Sequence, residues 1–194
     1  MSYYYLIASL PVLAIGQSPI SAEAFESRCA AELCARDYEA LQQIAQIPLP
    51  ENALSHAFAK EWNNLETQLR NAIARKRANK RQEDPTPTLR SHGGYATIIE
   101  DAVDNAWAQS NPLERERSLD TLRWSLLEDL TGPDPFSFNV ILSYAVKRNI
   151  AERWASMDPE AGWTKASESF EQPPAGEDRP DEPETASTQT GSQT

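Results

Sequence analysis

The chain has few of the residues that usually carry catalysis or redox chemistry. Two cysteines and two histidines occur among 194 residues. Cys29 and Cys34 are not spaced as a CxxC redox pair and lack companion zinc ligands, so we expect reduced thiols that are buried or partly buried. His56 and His92 belong to no HExxH motif, and the chain contains no Walker loop and no GxSxG motif. We therefore predict a protein that is not an enzyme and that binds no metal and no cofactor.

Glycine and long apolar runs are also scarce. Only 7 glycines and few β-branched runs argue against a β-sheet, whereas Ala, Leu, Glu, Arg and Gln dominate the periodic segments. The N-terminal apolar run is broken by Pro11 and has no basic residue before it, which is atypical of a signal peptide or a membrane span. These features predict an all-α protein of the cytoplasm.

Apolar residues repeat at helical spacing along most of the chain. At residues 3–10 the pattern leaves strand or helix open, and we favour a helix. Two short helices follow within 21–47, with Ser21 as N-cap and a break near residues 35–37. Further helices are predicted over 51–82, 95–109, 111–130, 137–157 and 158–170.

The segment from Asn111 to Leu130 gives the clearest helix signal. Asn111 suits the N-cap, Pro112 suits the first turn, and Gly132 with Pro133 suits the end. Two apolar stripes run along this segment: Leu119, Leu122, Leu126 and Leu130, and beside them Leu113, Trp124 and Leu127. Because a surface helix normally buries one stripe, this helix should lie between at least two others.

The predicted architecture is a multi-helix bundle of helical hairpins. We expect one helical domain over residues 1–171, in which a Pro-rich connector can separate two lobes, 1–82 and 90–171. Residues 172–194 contain no aliphatic side chain larger than Ala and many acidic residues and prolines. Such a segment buries too little apolar surface to fold, which predicts a disordered acidic tail.

Basic residues are concentrated at the end of the longest predicted helix. Although the net charge is −11, residues 70–81 contain a dense run of Arg and Lys. This run is consistent with a solvated helix end, with a docking site for an acidic protein, or with nucleic-acid binding. No aromatic residue interleaves it, which disfavours single-strand binding. The candidate partner-binding residues are Arg70, Arg75, Lys76, Arg77, Lys80, Arg81, Arg117 and Arg123.

Charges of both signs also follow the helix at 111–130. Acidic and basic side chains spaced three and four residues apart predict a solvent-facing edge of weak ion pairs. The acidic members are Glu114, Glu116, Asp120, Glu128 and Asp129, and the basic ones are Arg115, Arg117 and Arg123. In the next helix, we expect Lys147, Arg148 and Arg153 to be solvated because they lie off its apolar stripe.

Several segments together resemble the family known as domain of unknown function 2764. They are SYYYLIASLP, ISAEAF, WNNLETQLRNAIARKRA, NPLERERSLDTLRWSLLEDL and FSFNVILSYAVKRNIAERWASMD. The resemblance covers about residues 2–170 in the same order and excludes the acidic tail. Its motifs are patterns of apolar and charged residues and include no catalytic signature.

The resemblance implies a function in ion transport, including proton transport. Members of the family are encoded beside genes of bacterial V-type (V/A-type) ATPases, and they are similar to the adaptor of the central stalk that sits on the membrane proteolipid ring. It implies a non-catalytic subunit or assembly factor that contacts the stalk and membrane-ring subunits and takes no small-molecule substrate. Such a protein would lie in the cytoplasm, peripheral to the inner membrane through the complex. The alternative is a helical nucleic-acid-binding or regulatory module that uses residues 70–81.

Overall fold

The chain folds as helices throughout the part that the structure describes. The structure is a computed structural model, and it describes residues 3–17, 19–50 and 53–157. These residues form seven α-helices and a 3-10 turn at Thr86–Thr88, without a strand, so the all-α prediction is confirmed. The helices are α1 (Tyr4–Ser9), α2 (Ala22–Glu32), α3 (Ala35–Ile44), α4 (Ala57–Arg81), α5 (Thr97–Ala108), α6 (Pro112–Thr131) and α7 (Phe138–Ala155).

Local capping residues determine several of these helix ends. The Ser21 side chain accepts a hydrogen bond from the backbone N–H of Ala24, and the Asn111 side chain accepts one from that of Leu113. Gly132 ends α6 with a positive φ of 76°, a conformation that glycine adopts without steric cost. The predicted caps at these positions are confirmed.

Helix α4 begins later than the sequence pattern predicted. It starts at Ala57 rather than at Glu51, because His56 has extended backbone angles and caps the helix. Its imidazole Nδ1 accepts a hydrogen bond from the backbone N–H of Phe58 at 3.2 Å. Histidine is not among the usual N-cap residues, so the sequence offered no clear start signal.

Helix α6 lies at the centre of the fold. It packs against α4, α5 and α7, which confirms the prediction that its two apolar stripes face more than one helix. Leu119 and Leu127 are fully buried, but Leu113, in the first turn, is 51% exposed and does not join the predicted stripe. Ile98, in the first turn of α5, is likewise exposed rather than in the core. First turns project beyond their neighbours, so apolar spacing alone overestimates their burial.

One hydrophobic core includes residues from both halves of the chain. Tyr3 and Leu6 of the N-terminal segment belong to the same cluster as Ile99 and Ile141. The tightly connected unit is Met1–Ser156, and a second unit is Met157–Thr194. Of the second unit, the structure describes Met157 alone. The predicted helix at 158–170 and the predicted disordered tail at 172–194 lie outside the described residues.

The two cysteines have different environments. Cys29 is fully buried in α2, and burial, together with the nearby charge of Glu26, raises the pKa of its thiol to about 11. Cys34 lies at the α2–α3 junction and is exposed, so the expectation of a buried or partly buried thiol is wrong for this residue. The break between the two helices falls at Leu33 and Cys34, just before the predicted position.

The basic residues of α7 are less solvated than the sequence predicted. Arg148 is only 3% exposed, and its guanidinium donates two hydrogen bonds to one carboxylate oxygen of Glu152. The Lys147 ammonium pairs with Glu128 at 3.0 Å and lies 5.0 Å from the ring centroid of Trp124. The charged ends reach acidic or aromatic partners while the stems pack beside the core. The prediction of solvated side chains is therefore wrong for Arg148.

Amide side chains of α4 hold the segment that leads to α5. Asn71 and the backbone of Arg90 exchange two hydrogen bonds of 2.7 and 3.0 Å, and Gln68 and the backbone of Ala96 exchange two of 2.9 Å. Between them, Asn64 accepts a hydrogen bond from the N–H of Gly93 at 3.0 Å. A Cβ at position 93 would lie 3.1 Å from Asn64 Nδ2, so glycine fits this close approach.

Candidate partner-binding surface

The basic end of α4 divides into charges that face α5 and charges that do not. Arg75 Nη2 lies 2.6 Å from Glu100 Oε1, and Lys76 Nζ lies 2.6 Å from Asp104 Oδ1. Both carboxylates belong to α5, so these two ion pairs join neighbouring helices. The positive charge of Arg75 and Lys76 is consequently matched within the fold and contributes little net field at the surface.

The remaining basic side chains of this helix end lack such partners. Arg77, Lys80 and Arg81 are exposed, and none of them makes an ion pair with another residue in the described ranges. Arg77 and Arg81 are one helical turn apart, so they project from the same side of α4. The structure therefore leaves two neighbouring guanidinium groups available to an outside acceptor.

These two arginines line a depression, which we call the arginine groove. Its volume is about 470 Å³, and Arg70 and Arg123 also line it. The walls and floor further include four apolar side chains and three carboxylates. They are Ile73, Ala74, Ala78, Pro85, Glu83, Asp84 and Glu116.

The chain reversal after α4 shapes one rim of the groove. Gln82 takes a left-handed conformation, with φ 59° and ψ 36°, and the N–H of Glu83 donates to the carbonyl of Ala78 at 3.0 Å. This is the bonding of a Schellman C-cap, which turns the chain sharply. Asp84 then accepts hydrogen bonds from the hydroxyl and the backbone N–H of Thr86, and these bonds lower the pKa of its carboxyl group.

A buried cluster of charges closes the inner end of the groove. Glu66 of α4 is 6% exposed at its side chain, and its two oxygens accept hydrogen bonds from Arg70 and Arg123. Arg123 also pairs with Asp120 at 2.9 Å. Asp120 in turn accepts hydrogen bonds from Arg153 and from the indole Nε1 of Trp154. The cluster thus connects α4, α6 and α7.

The solvent-facing placement predicted for this part of α6 is wrong. The Asp120 side chain is 1% exposed and that of Arg123 is 16% exposed, so both lie largely inside the fold. Burial by itself lowers the pKa of the Arg123 guanidinium, but the charges and hydrogen bonds of Glu66 and Asp120 raise it above its usual value. Sequence reasoning also missed Glu66, whose position in the middle of a polar helix stretch carries no distinguishing signal.

A second depression adjoins the arginine groove. It has a volume of about 280 Å³ and is lined in part by Glu66, Asp120 and Arg153. Arg70 and Arg123 line both depressions, so these two residues stand where the depressions meet. Arg117, the last of the candidate residues, lies elsewhere, with its guanidinium carbon 5.8 Å from the ring centroid of Trp154.

The two histidines occupy unrelated positions. His56 caps α4 and packs edge-on against Phe138, and burial lowers the pKa of its imidazole. His92 lies in the loop before α5, beside Gly93. Within residues 3–17, 19–50 and 53–157, no group of three or more His, Cys, Asp or Glu side chains is arranged to hold a metal ion. In the same ranges, no helix is both long enough and apolar enough to cross a bilayer.

Comparison with known proteins supports the family resemblance over part of the chain. The model of the family described as "Protein of unknown function (DUF2764)" matches residues 97–170. The matched segment includes α5, α6 and α7, which contribute Glu100, Asp120 and Arg123 to the contacts above. No curated protein and no solved structure matches the chain.

Proposed function

We propose that this protein is a non-catalytic helical adaptor, a subunit or assembly factor of a bacterial V-type (V/A-type) ATPase, which docks an acidic partner surface on the arginine groove. The observation that carries the docking function is the pair Arg77 and Arg81, exposed on α4 without an ion-pair partner in the described ranges. Side chains of this type, beside an apolar floor, are suited to protein recognition.

The assignment to the ATPase rests on the family resemblance. The matched family has no known function, so its match at residues 97–170 supports membership and leaves the choice of complex to experiment. The resemblance extends to a central-stalk adaptor that transmits torque, a task that requires rigid helices and broad contact surfaces. The charge cluster of Glu66, Asp120 and Arg123 supports such rigidity because it joins three helices.

The groove favours a protein partner over nucleic acid. Arg75 and Lys76 are already neutralised by α5, which reduces the local positive field. Glu83, Asp84 and Glu116 line the same groove and would repel a phosphate backbone. The overall charge of −11 adds a long-range repulsion of any polyanion.

Co-purification from the native cell tests this function. A tagged full-length chain should retain stalk and membrane-ring subunits of the ATPase after mild detergent extraction, identified by mass spectrometry. Recovery with the complete, active complex would indicate a resident subunit, whereas recovery only with incomplete complexes would indicate an assembly factor. If no ATPase subunit is retained at low salt, the proposed function is wrong.

A further inference from the structure

We propose that the arginine groove binds an acidic α-helix of the partner, in which two carboxylates one turn apart pair with Arg77 and Arg81. This inference rests on the proposed function only in taking the partner to be a protein. It adds the secondary structure and the charge spacing of the segment that binds.

The spacing of the two arginines determines the spacing of their acceptors. Arg77 and Arg81 are four residues apart on a continuous helix, so their Cα atoms are separated by about 6 Å along its axis. Glu or Asp side chains at positions i and i+4 of a second helix repeat at the same distance. A helix lying along α4 can therefore present one carboxylate to each guanidinium at the same time, with the bidentate geometry that arginine favours.

The floor of the groove admits the backbone of such a helix. Ala74 and Ala78 lie on the same side of α4 as the arginines and end at Cβ, and Ile73 and Pro85 supply apolar surface beside them. Small side chains at the contact allow two helices to approach at the short end of the usual interaxial distance of about 8–10 Å. An apolar face on the partner helix would bury this floor, while its acidic face would reach the arginines.

The carboxylates in the groove restrict the ligand further. Glu116 lies on α6, and Glu83 and Asp84 lie on the rim that the chain forms after α4. A ligand of uniform negative charge would meet these three groups unfavourably. A protein helix can place Lys, Arg or neutral residues next to them and Glu next to Arg77 and Arg81. None of the described side chains that line the groove is aromatic, so bases would find no stacking surface there.

A designed peptide tests the inference on the full-length chain. The probe is an alanine-rich helical peptide of about 18 residues with Glu pairs at i and i+4, long enough to populate a helix. A peptide of the same composition with the Glu residues two apart places them on different faces and serves as the comparison. Binding is followed by nuclear magnetic resonance, from the backbone amides of Ala74 and Ala78 and the side-chain Nε–H of Arg77 and Arg81.

We expect the i and i+4 peptide to shift these signals and to bind more tightly than its isomer. The double variant Arg77→Glu and Arg81→Glu should weaken binding about tenfold, since it replaces two attractive exposed pairs by two repulsions. The matched variant Lys60→Glu and Lys80→Glu changes the net charge equally at exposed positions of α4 outside the groove lining, and should retain binding. All four substituted residues are exposed, so circular dichroism should show both variants folded.

Three results would overturn the inference. They are equal binding of the two peptide isomers, signal changes located outside the groove, and tighter binding of an oligothymidylate than of the acidic helix. The co-purification experiment is independent of these results. Recovery of ATPase subunits together with equal binding of the two isomers would leave the adaptor function standing and refute the helix inference alone.

Discussion

The carboxylate of Asp120, on α6, accepts a hydrogen bond from the indole Nε1 of Trp154, on α7, at 2.6 Å. The same carboxylate pairs with Arg123 of its own helix and with Arg153 of α7. Because its side chain is 1% exposed, water cannot replace these partners. The contact therefore fixes the last turns of α7 to the centre of α6, and a buried charge has become part of the core.

Removing this carboxylate should destabilise the protein strongly. Asp120→Ala leaves the largely buried Arg123 short of one partner and the Trp154 indole without its acceptor. We expect a loss of about 3–5 kcal/mol in the free energy of unfolding, measured by urea denaturation of the full chain. Asp129→Ala, an exposed acidic residue of the same helix, should change it by no more than about 0.5 kcal/mol. Equal effects of the two substitutions would show that the cluster does not hold α6 and α7 together.

The sequence predicts the helices of this fold better than the cluster that joins them. The ends of α6 depend on Asn111, Pro112 and Gly132, which act within one turn and are therefore visible in the sequence. The burial of Asp120 and Arg123 depends instead on Glu66, which is 57 residues away from Arg123. Oppositely charged residues three apart look the same whether they face water or a third helix.

The basic candidate residues show the same limitation. Their clustering at the end of α4 follows from the sequence, but the sequence does not distinguish Arg75 and Lys76, which face α5, from Arg77 and Arg81, which line the groove. That difference depends on how α5 crosses α4, a tertiary property. The amides of α4 were equally ambiguous, since Gln68 and Asn71 have the composition of a solvated face.

The amide contacts of α4 should contribute measurably to stability. Asn71 is 5% exposed and pairs with both backbone groups of Arg90. Asn71→Ala should lower the free energy of unfolding by about 1–2 kcal/mol and accelerate hydrogen exchange at the Arg90 amide. Asn79→Ala, an exposed asparagine of the same helix, should leave both unchanged within about 0.5 kcal/mol. Unchanged exchange at Arg90 in the Asn71 variant would mean that the segment is held by other contacts.

His56 should make the stability depend on pH near neutrality. Burial lowers the pKa of its imidazole, and the charge of Arg36 lowers it further while that of Asp37 opposes the shift. Below about pH 6.5, the unfolded chain therefore binds a proton more readily than the folded chain, so this contribution to stability is present above that pH and is lost as the pH falls.

Two substitutions separate titration from capping at this position. His56→Asn keeps a side-chain acceptor for the N–H of Phe58 and removes the titrating group, so its free energy of unfolding should fall less than that of the unmodified chain between about pH 7.5 and 5.5. His56→Ala should show the same weaker pH dependence, with a further loss of about 1 kcal/mol at every pH. If all three proteins lost stability in parallel, another group would carry the pH dependence.

The end of α4 offers a substitution that should stabilise the protein. Gln82 adopts φ 59° and ψ 36°, a conformation that a side chain with a Cβ disfavours by about 1–2 kcal/mol. Gln82→Gly relieves this cost, partly offset by the greater freedom of glycine in the unfolded chain, so we expect a gain of about 0.5 kcal/mol. Lys80→Gly, within the last helical turn, should instead cost about 0.5 kcal/mol because its backbone is helical. Thermal and urea unfolding of both variants should therefore shift in opposite directions, and a shift in the same direction would contradict the left-handed C-cap that shapes the groove.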